Sequence, residues 1–472
     1  MNDAELRSFY ALLNAPLPPF PAQLDLVTYN PSTHGGRGGV RVMQQLQPYR
    51  RTHVRISRSL YRLPNGSEVP VLKIVTVNVR RMAFCDAFRR WGWGADDPSA
   101  SQQPHQPLLR LLVLDANGRG GTHGGEGGGT LFERAVVSAL SAGGCGMSGG
   151  DEGGAGGGSV TPLPASTVVI KAGTWVFEQD THWIVAERSP ANYGPARQVI
   201  AKPFLIILGT QGPLADVQRL LEAGIFLSTG HAMASETVAP LVNDTALTPA
   251  LEESHNLVVL GGPRHNTIAA RLAAAIRERA KATVEPTHEP LCSPSSTATC
   301  PSAVSSQPAV EFFDVPAATD AWDRDHSSNS SYSTAGPWIS VGGCRLTSSE
   351  EAAVFTYPRH LSTNPKKALG SDGGGAREAG RGAGAGGGGQ VRAPRLDLFV
   401  VAGSVTAIEV ALRYSFSVQQ ALTRAPHSNM VPDFFVTGPE YQWKGYGGLQ
   451  AAGFWGNNWE FRHELAYSTC AH

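Results

Sequence analysis

The feature that most constrains this chain is a change of apolar period partway along it. From Gln23 to about Val185, apolar residues come in short alternating runs such as "QLDLVTYN", "HVRISRSLYRL", "VPVLKIVTVNVRR" and "STVVIKAG". Alternation turns one face of each run inward, and "PNG" at Pro64–Gly66 offers a turn between two of them. These runs predict an antiparallel β-sandwich. From Pro203 the pattern becomes strand, glycine, helix: "FLIIL" precedes Gly209, "LVVL" precedes Gly261, "LFVVA" precedes Gly403 and "FFVT" precedes Gly438. Leu214, Val217, Leu221 and Ile225 follow the first strand at helical spacing. Ile268, Leu272 and Ile276 follow the second, and Val405, Ile408, Leu412 and Phe416 the third. Such repeats predict parallel βα units with buried strands, hence a Rossmann-like three-layer domain with a mostly parallel sheet. The expected class is α/β with an N-terminal β-sandwich, divided at residues 1–199 and 200–472.

Three stretches interrupt this pattern: Ala116–Leu163, Thr283–Ala309 and Ser362–Ala393. More than half of the 54 glycines fall in the first and third. Segments such as "GGDEGGAGGGS" bury too little apolar surface to offset chain entropy, so they read as disordered insertions. The remaining chain is long enough for two cores.

Lysine plus arginine equals aspartate plus glutamate at 39 each, with no dense basic run. Nucleic acid is therefore not an expected partner. The longest apolar stretch, Leu396–Leu412, contains Asp397 and Glu409, so no membrane span is expected. The N-terminus has no basic region followed by an apolar one, hence no visible signal peptide. Cys292 and Cys300 flank a Ser/Thr loop that a disulfide can close in an oxidising compartment; reduced cytosolic thiols fit the same spacing.

In open α/β sheets, ligands bind beyond the carboxyl ends of the strands. That places Gly209, Gly261, Gly262, Gly403 and Gly438 at a candidate ligand edge, with Asn266 a further ligand candidate beside it; glycine there also serves simply to let strand and helix approach. The dinucleotide fingerprint fails in each turn: "GTQG", "GGPRHN" and "AGSV" miss the required spacing. Near the C-terminus, Gly445 and Gly447 are correctly separated, but Gln450 stands where the third glycine belongs. Lys444 remains a candidate anion contact, and no cofactor is expected. "GMSGG" around Ser148 has the nucleophile-elbow spacing without a strand before it or a helix after it, so it reads as a chance pattern. His182 and "DRDH" at Asp323–His326 read as ordinary polar residues, and the acidic pairs Glu252–Glu253 and Glu350–Glu351 as solvated surface. No metal set and no catalytic residue is assigned.

Trp443, Tyr446, Phe454, Trp455 and Trp459 follow the last predicted strand. Burial is where large aromatics contribute most, so they are expected to fold the tail back over the sheet. The alternative for Trp443 and Trp455 is a substrate or sugar platform.

Several stretches, taken in order, carry a family resemblance: "VTYNPSTHGGRGGVRVMQQLQPYRRTHVRI", "VTVNVRRMAF", "ERSPANYGPARQVIAKPFLIILGTQG", "APLVNDTAL", "NLVVLGGPRHN" and "VPDFFVTGPEYQWKGYGGLQAAGFWGNNW". Together they resemble the C-terminal half of large prolyl-oligopeptidase-like proteins, secreted α/β-hydrolase relatives known mainly from fungi. The resemblance implies a serine hydrolase, peptidase or esterase, acting outside the cell on a small-molecule or polymer substrate. In that family the nucleophilic serine and catalytic histidine precede this region, and Met1–Tyr10 resembles the segment just after the histidine. The hydrolase motifs have no matching positions here. The expectation is an N-terminally truncated, non-nucleophilic accessory region whose hydrolase domain is encoded upstream. The alternative is a stand-alone ligand- or surface-binding protein without catalytic activity.

Overall fold

The structure, a computed structural model, describes residues 23–37, 40–62, 66, 68–84, 111–115, 130–132, 167–171, 174–178, 183–194, 196–282, 310–313, 339–359, 394–415 and 432–470. Ser148, His182, Asp323–His326, Cys292 and Cys300 lie outside the described residues, as do nearly all of the three expected insertions. The chain divides into two compact units, one drawn from Met1–Glu152 and Thr161–Gln179, the other from Gly153–Val160 and Asp180–His472. Trp183–Ile200 thus belongs with the second unit, not with residues 1–199 as expected. The reason is packing: Arg188 pairs with Asp433, and Val199 joins the second unit's core.

Among the described residues the first unit holds ten strands: β1 (Gln23–Thr28), β2 (Gly36–Arg37), β3 (Val40–Gln45), β4 (Thr52–Arg62), β5 (Glu68–Val77), β6 (Val79–Phe84), β7 (Leu111–Asp115), β8 (Thr130–Phe132), β9 (Thr167–Lys171) and β10 (Thr174–Glu178). One short helix, α1 (Pro31–His34), follows β1. The strands form two five-stranded sheets, ordered β1-β4-β5-β7-β8 and β10-β9-β6-β3-β2. The longest antiparallel pairing is β4 with β5, with Arg62 opposite Glu68; Pro64 and Asn65 of the expected turn lie outside the described residues. Val54 and Ile56 are fully buried while Arg55 between them is exposed, the period of two read from sequence. One pair departs from the antiparallel expectation, because β5 and β7 run parallel. Between them the chain passes through β6 in the other sheet, and such a long excursion lets it re-enter in the same direction.

The second unit contains an eight-stranded sheet built from β11 (Phe204–Leu208), β12 (Leu241–Asn243), β13 (Asn256–Leu260), β17 (Ala352–Pro358), β18 (Leu396–Ala402), β19 (Phe434–Thr437), β20 (Leu449–Gly453) and β21 (Ala466–Ser468). A separate three-stranded sheet comprises β14 (Val310–Phe312), β15 (Ile339–Val341) and β16 (Cys344–Leu346). Helices α2 (Trp183–Ala186), α3 (Arg197–Ile200), α4 (Leu214–Ser235), α5 (Pro249–Ser254), α6 (Thr267–Ala282), α7 (Val405–Ser415) and α8 (Tyr441–Lys444) complete it. The large sheet is ordered β12-β11-β13-β18-β17-β19-β20-β21.

The expectation of a mostly parallel sheet is corrected here, because the sheet is mixed. β12, β11, β13 and β18 pair in parallel, whereas β17, β19, β20 and β21 add antiparallel neighbours. A parallel neighbour needs a long crossover, and the compact loop from β19 to β20 holds just the single-turn helix α8 and a 3-10 turn over Gly445–Gly448. Every residue of β13, β17 and β18 is buried, which accounts for their unbroken apolar runs. Asp397 inside β18 is their one charged residue, and Arg359 answers it. The guanidinium grips the carboxylate through Nε (2.6 Å) and Nη2, and also reaches the carbonyls of Glu252 and His255.

The C-terminal tail closes the core as expected. Trp455 is fully buried and stacks on Phe434 at 4.2 Å, with its indole N–H donating to the Thr356 carbonyl (2.9 Å). A disulfide joins Cys344 of β16 to Cys470 after β21, with Cα atoms 5.3 Å apart. The sequence reading did not single out this pair.

Candidate functional site

Four strands of the second unit end at one edge of the sheet, each followed at once by a glycine. β11, β13 and β18 are parallel, and β17 opposes both β18 and β19, so β19 ends at the same edge. Gly209, Gly261, Gly403 and Gly438 are therefore brought together along it.

The glycines there are packed against protein. A Cβ on Gly209 would lie 2.3 Å from the His265 carbonyl oxygen, so the Gly261–Asn266 loop rests directly on that turn. Gly261 and Gly262 are buried, and the Gly261 N–H donates to the Val400 carbonyl (3.0 Å). Ser348 and Ser349 cross over Gly403. Asn266 is buried and fully used: its amide donates to the carbonyls of Ile207 (3.3 Å) and Leu260 (3.0 Å), while its Oδ1 accepts from the N–H of Ile268 (2.9 Å) at the start of α6. That is an N-cap that also ties two strands together.

Three polar residues at this edge were given no site role from the sequence. Asp244, 4 % exposed, accepts from the Thr210 hydroxyl (2.6 Å), the Thr245 N–H (3.0 Å) and the Thr267 N–H (2.6 Å). A carboxylate at the first turn of α6 is favoured by the helix's positive end. His265 places Nε2 3.7 Å from Asp216 Oδ2, beyond hydrogen-bond length. Glu351 corrects the reading of Glu350–Glu351 as solvated. It is buried, accepts from the N–H groups of Thr347 (2.8 Å) and Ser348 (2.9 Å), and receives the Gln450 amide (2.9 Å). Glu252 is likewise only partly exposed and pairs with Arg271. Asp244 stands in the "NDT" just after a short strand, a pattern that invites a cap reading. Nothing in sequence marks Glu351.

A second cluster lies around Arg188, buried completely together with Asp433. The guanidinium pairs with Asp433 through Nη2, donates to the Tyr193 carbonyl through Nη1, and sits 4.8 Å from the Trp459 ring centre. Burial pushes the Asp433 carboxyl up from the usual carboxylate range; the Arg188 charge and hydrogen bond and the Trp455 N–H (3.0 Å) oppose that. An arginine within "ERSPANYG" reads as solvated from sequence alone, so no signal announced it.

The remaining candidates separate. Trp455 is core, so it forms no platform. Trp443 is 72 % exposed, which corrects its expected burial, and Tyr446 is 56 % exposed. Lys444 is exposed and paired with Glu440 one turn away. The loop carrying them is closed by the Gly438 N–H donating to the Gly448 carbonyl (3.0 Å), and Tyr441 anchors it at 1 % exposure. Gly445 has φ +53°, a backbone that favours glycine, and a Cβ there would meet nothing within 4 Å.

Among the described residues, Ser254 and His255 bring a hydroxyl and an imidazole within 2.9 Å. They are successive residues at the end of α5, and the same His255 nitrogen faces the Leu251 carbonyl at 3.2 Å. Among the described residues no group of three His, Cys, Asp or Glu side chains is placed to hold a metal ion. No described helix is long and apolar enough to cross a membrane. In comparisons with known proteins, the chain matches no family model, no curated protein and no solved structure.

Proposed function

We propose that this chain is the non-nucleophilic accessory region of a prolyl-oligopeptidase-like serine hydrolase, working with a hydrolase domain encoded upstream. In this reading the two five-stranded sheets form a β-sandwich and the eight-stranded sheet a Rossmann-like layer. One observation carries the proposal: the stretches that resemble the family meet one another at buried joints. Arg188 of "ERSPANYGPARQ" binds Asp433 of "VPDFF", donates its backbone N–H to the Asn457 carbonyl of "WGNNW" (2.8 Å), and lies against Trp459 of the same stretch. Thr210 of "LIILGTQG" binds Asp244 of "APLVNDTAL" (2.6 Å), which reaches the N–H of Thr267, directly after "NLVVLGGPRHN" (2.6 Å). Residues placed this way hold loops in register. The Cys344–Cys470 disulfide fits the oxidising, extracellular setting that the resemblance implies.

The test is expression of this chain and of the reading frame extended upstream of Met1, each treated with a fluorophosphonate probe. The extended product is expected to label at a serine upstream of Met1, and this chain not to label. Labelling of this chain alone, or an upstream frame without a G-x-S-x-G elbow, overturns the proposal. A stand-alone ligand- or surface-binding role is the second reading, favoured by the exposure of Trp443 and Tyr446.

A further inference from the structure

Three Asn-x-Ser/Thr sequons occur in the chain, at Asn65, Asn243 and Asn329, and Asn243 is the one within the described residues. It closes β12, and Asp244 and Thr245 open the 3-10 turn that follows. Asp244 is the packed member, 4 % exposed and held by the Thr210 hydroxyl and the N–H groups of Thr245 and Thr267. Asn243 and Thr245, on either side of it, are exposed. The amide and the hydroxyl that a sequon requires therefore both stand outside the packed protein. The Asn243 side chain does not cap the turn, and among the described residues its amide has no hydrogen-bond partner. Asn30 shows the opposite arrangement. Pro31 bars Asn30-Pro31-Ser32 from the sequon, and Asn30 is 5 % exposed, its Oδ1 accepting from the Ser32 N–H (2.9 Å).

The surroundings favour a modification there. β12 is the outer strand of its sheet, and among the described residues β11 is its one partner. Val238, shortly before it in sequence, is 69 % exposed. Such an edge invites pairing with another chain, which a bulky hydrophilic group at the strand's end obstructs. The disulfide between Cys344 and Cys470 is the product of an oxidising compartment, and asparagine is glycosylated in such a compartment. We propose that Asn243 carries an N-linked glycan, transferred from a lipid-linked diphosphate oligosaccharide and seated at the open edge of β12. In the transfer, Nδ2 of Asn243 bonds to the anomeric carbon of the first sugar as that carbon's bond to the diphosphate breaks. The lipid diphosphate leaves, and one amide proton passes to the transferase. The folded chain tolerates the glycan because the acceptor amide holds no hydrogen bond that the new bond would break. This inference rests on the extracellular setting of the proposed function and not on its chemistry.

The experiment takes the full chain from its native cells and their medium and digests it. The peptides are treated with peptide:N-glycosidase in heavy-oxygen water, which converts a glycosylated asparagine to labelled aspartate. The peptide containing residue 243 is expected mainly in the labelled form. Recovery of that peptide with unlabelled Asn243 alone overturns the proposal, whether or not Asn65 or Asn329 is labelled. Full-length variants expressed behind a secretory signal give a second reading that does not depend on one substitution. Asn243→Gln and Thr245→Ala should each gain electrophoretic mobility by one glycan, and Thr245→Ser should not, because serine preserves the sequon. Asp244 bonds the Thr245 backbone N–H, so changes at the Thr245 side chain keep the turn. Unchanged mobility in either Asn243→Gln or Thr245→Ala also overturns the site. A labelled residue 243 without fluorophosphonate labelling of the extended product removes the hydrolase reading alone, and the reverse removes the glycan alone.

Discussion

Trp443 and Trp455 lie in one glycine-rich stretch, and their surroundings give them opposite roles. Trp455 is enclosed by Phe434, the Thr356 carbonyl and the Asp433 carboxylate, so Trp455→Ala leaves a cavity and an unmatched acceptor. Its expected cost in chemical denaturation is about 3–5 kcal/mol. Trp443→Ala removes a ring already in water and is expected to stay within about 0.5 kcal/mol. Equal losses in the two variants would refute this division. Asp25 gives a pH dependence at the same scale. Hydrogen bonds from Gln23 (2.6 Å), Arg55 (2.9 Å) and His53 (2.7 Å) hold its carboxyl well below the usual carboxylate range. A carboxyl depressed in the folded state contributes stability above the unfolded value of 3.8, and that contribution is lost as pH falls towards the folded value. Stability measured from about pH 5 down to about pH 2 should therefore fall more steeply for the unaltered chain than for Asp25→Asn. Solvent exposure keeps the difference small and sensitive to salt.

Between elements, the decisive contacts are those that join one strand's turn to the next. Gly209 has room for no side chain because the His265 carbonyl fills the position of a Cβ. Gly209→Ala is expected to cost about 1–3 kcal/mol by forcing that loop away. The result to look for is a lowered denaturant midpoint with an unchanged slope, since the unfolded chain is hardly altered. Arg188 and Asp433 form a tie of another kind, linking the segment before α3 to the start of β19. Arg188→Met should cost about 3–5 kcal/mol by stranding a buried carboxylate, and adding Asp433→Leu should recover much of that loss. A double variant no more stable than Arg188→Met would show that the pair contributes through geometry rather than charge balance. The face that α4 buries was misread, since Leu214, Leu221 and Ile225 are exposed while Leu220 and Ala223 are buried. Strand periodicity and the periodicity of α6 and α7 were legible in the sequence. The partner of each strand was not, because periodicity reports which face is buried and says nothing about the neighbour's direction. Hence β19 was placed at the correct edge by its glycine, yet its antiparallel neighbours β17 and β20 went unread.

At the scale of the molecule, the disulfide between Cys344 and Cys470 spans 126 residues of chain. Closing so long a loop restricts the unfolded ensemble, and Cys470→Ser should cost about 2–5 kcal/mol, read as a lower melting temperature that reducing agent reproduces in the unaltered chain. A melting temperature indifferent to reductant would refute that contribution. By itself the sequence determined the main strands and helices, and that a β-rich unit precedes one with strand–glycine–helix repeats. These follow from local sterics and from the spacing of apolar side chains, both carried by neighbours along the chain. Only the tertiary structure decided that the sheet is mixed, that Glu351 and Arg188 are buried, that Asp244 joins three loops, and that Trp443 faces water while Trp455 does not. Each of those depends on which distant segment arrives to hydrogen-bond or cover a group, and polar and aromatic residues look alike in sequence whether that partner comes or not.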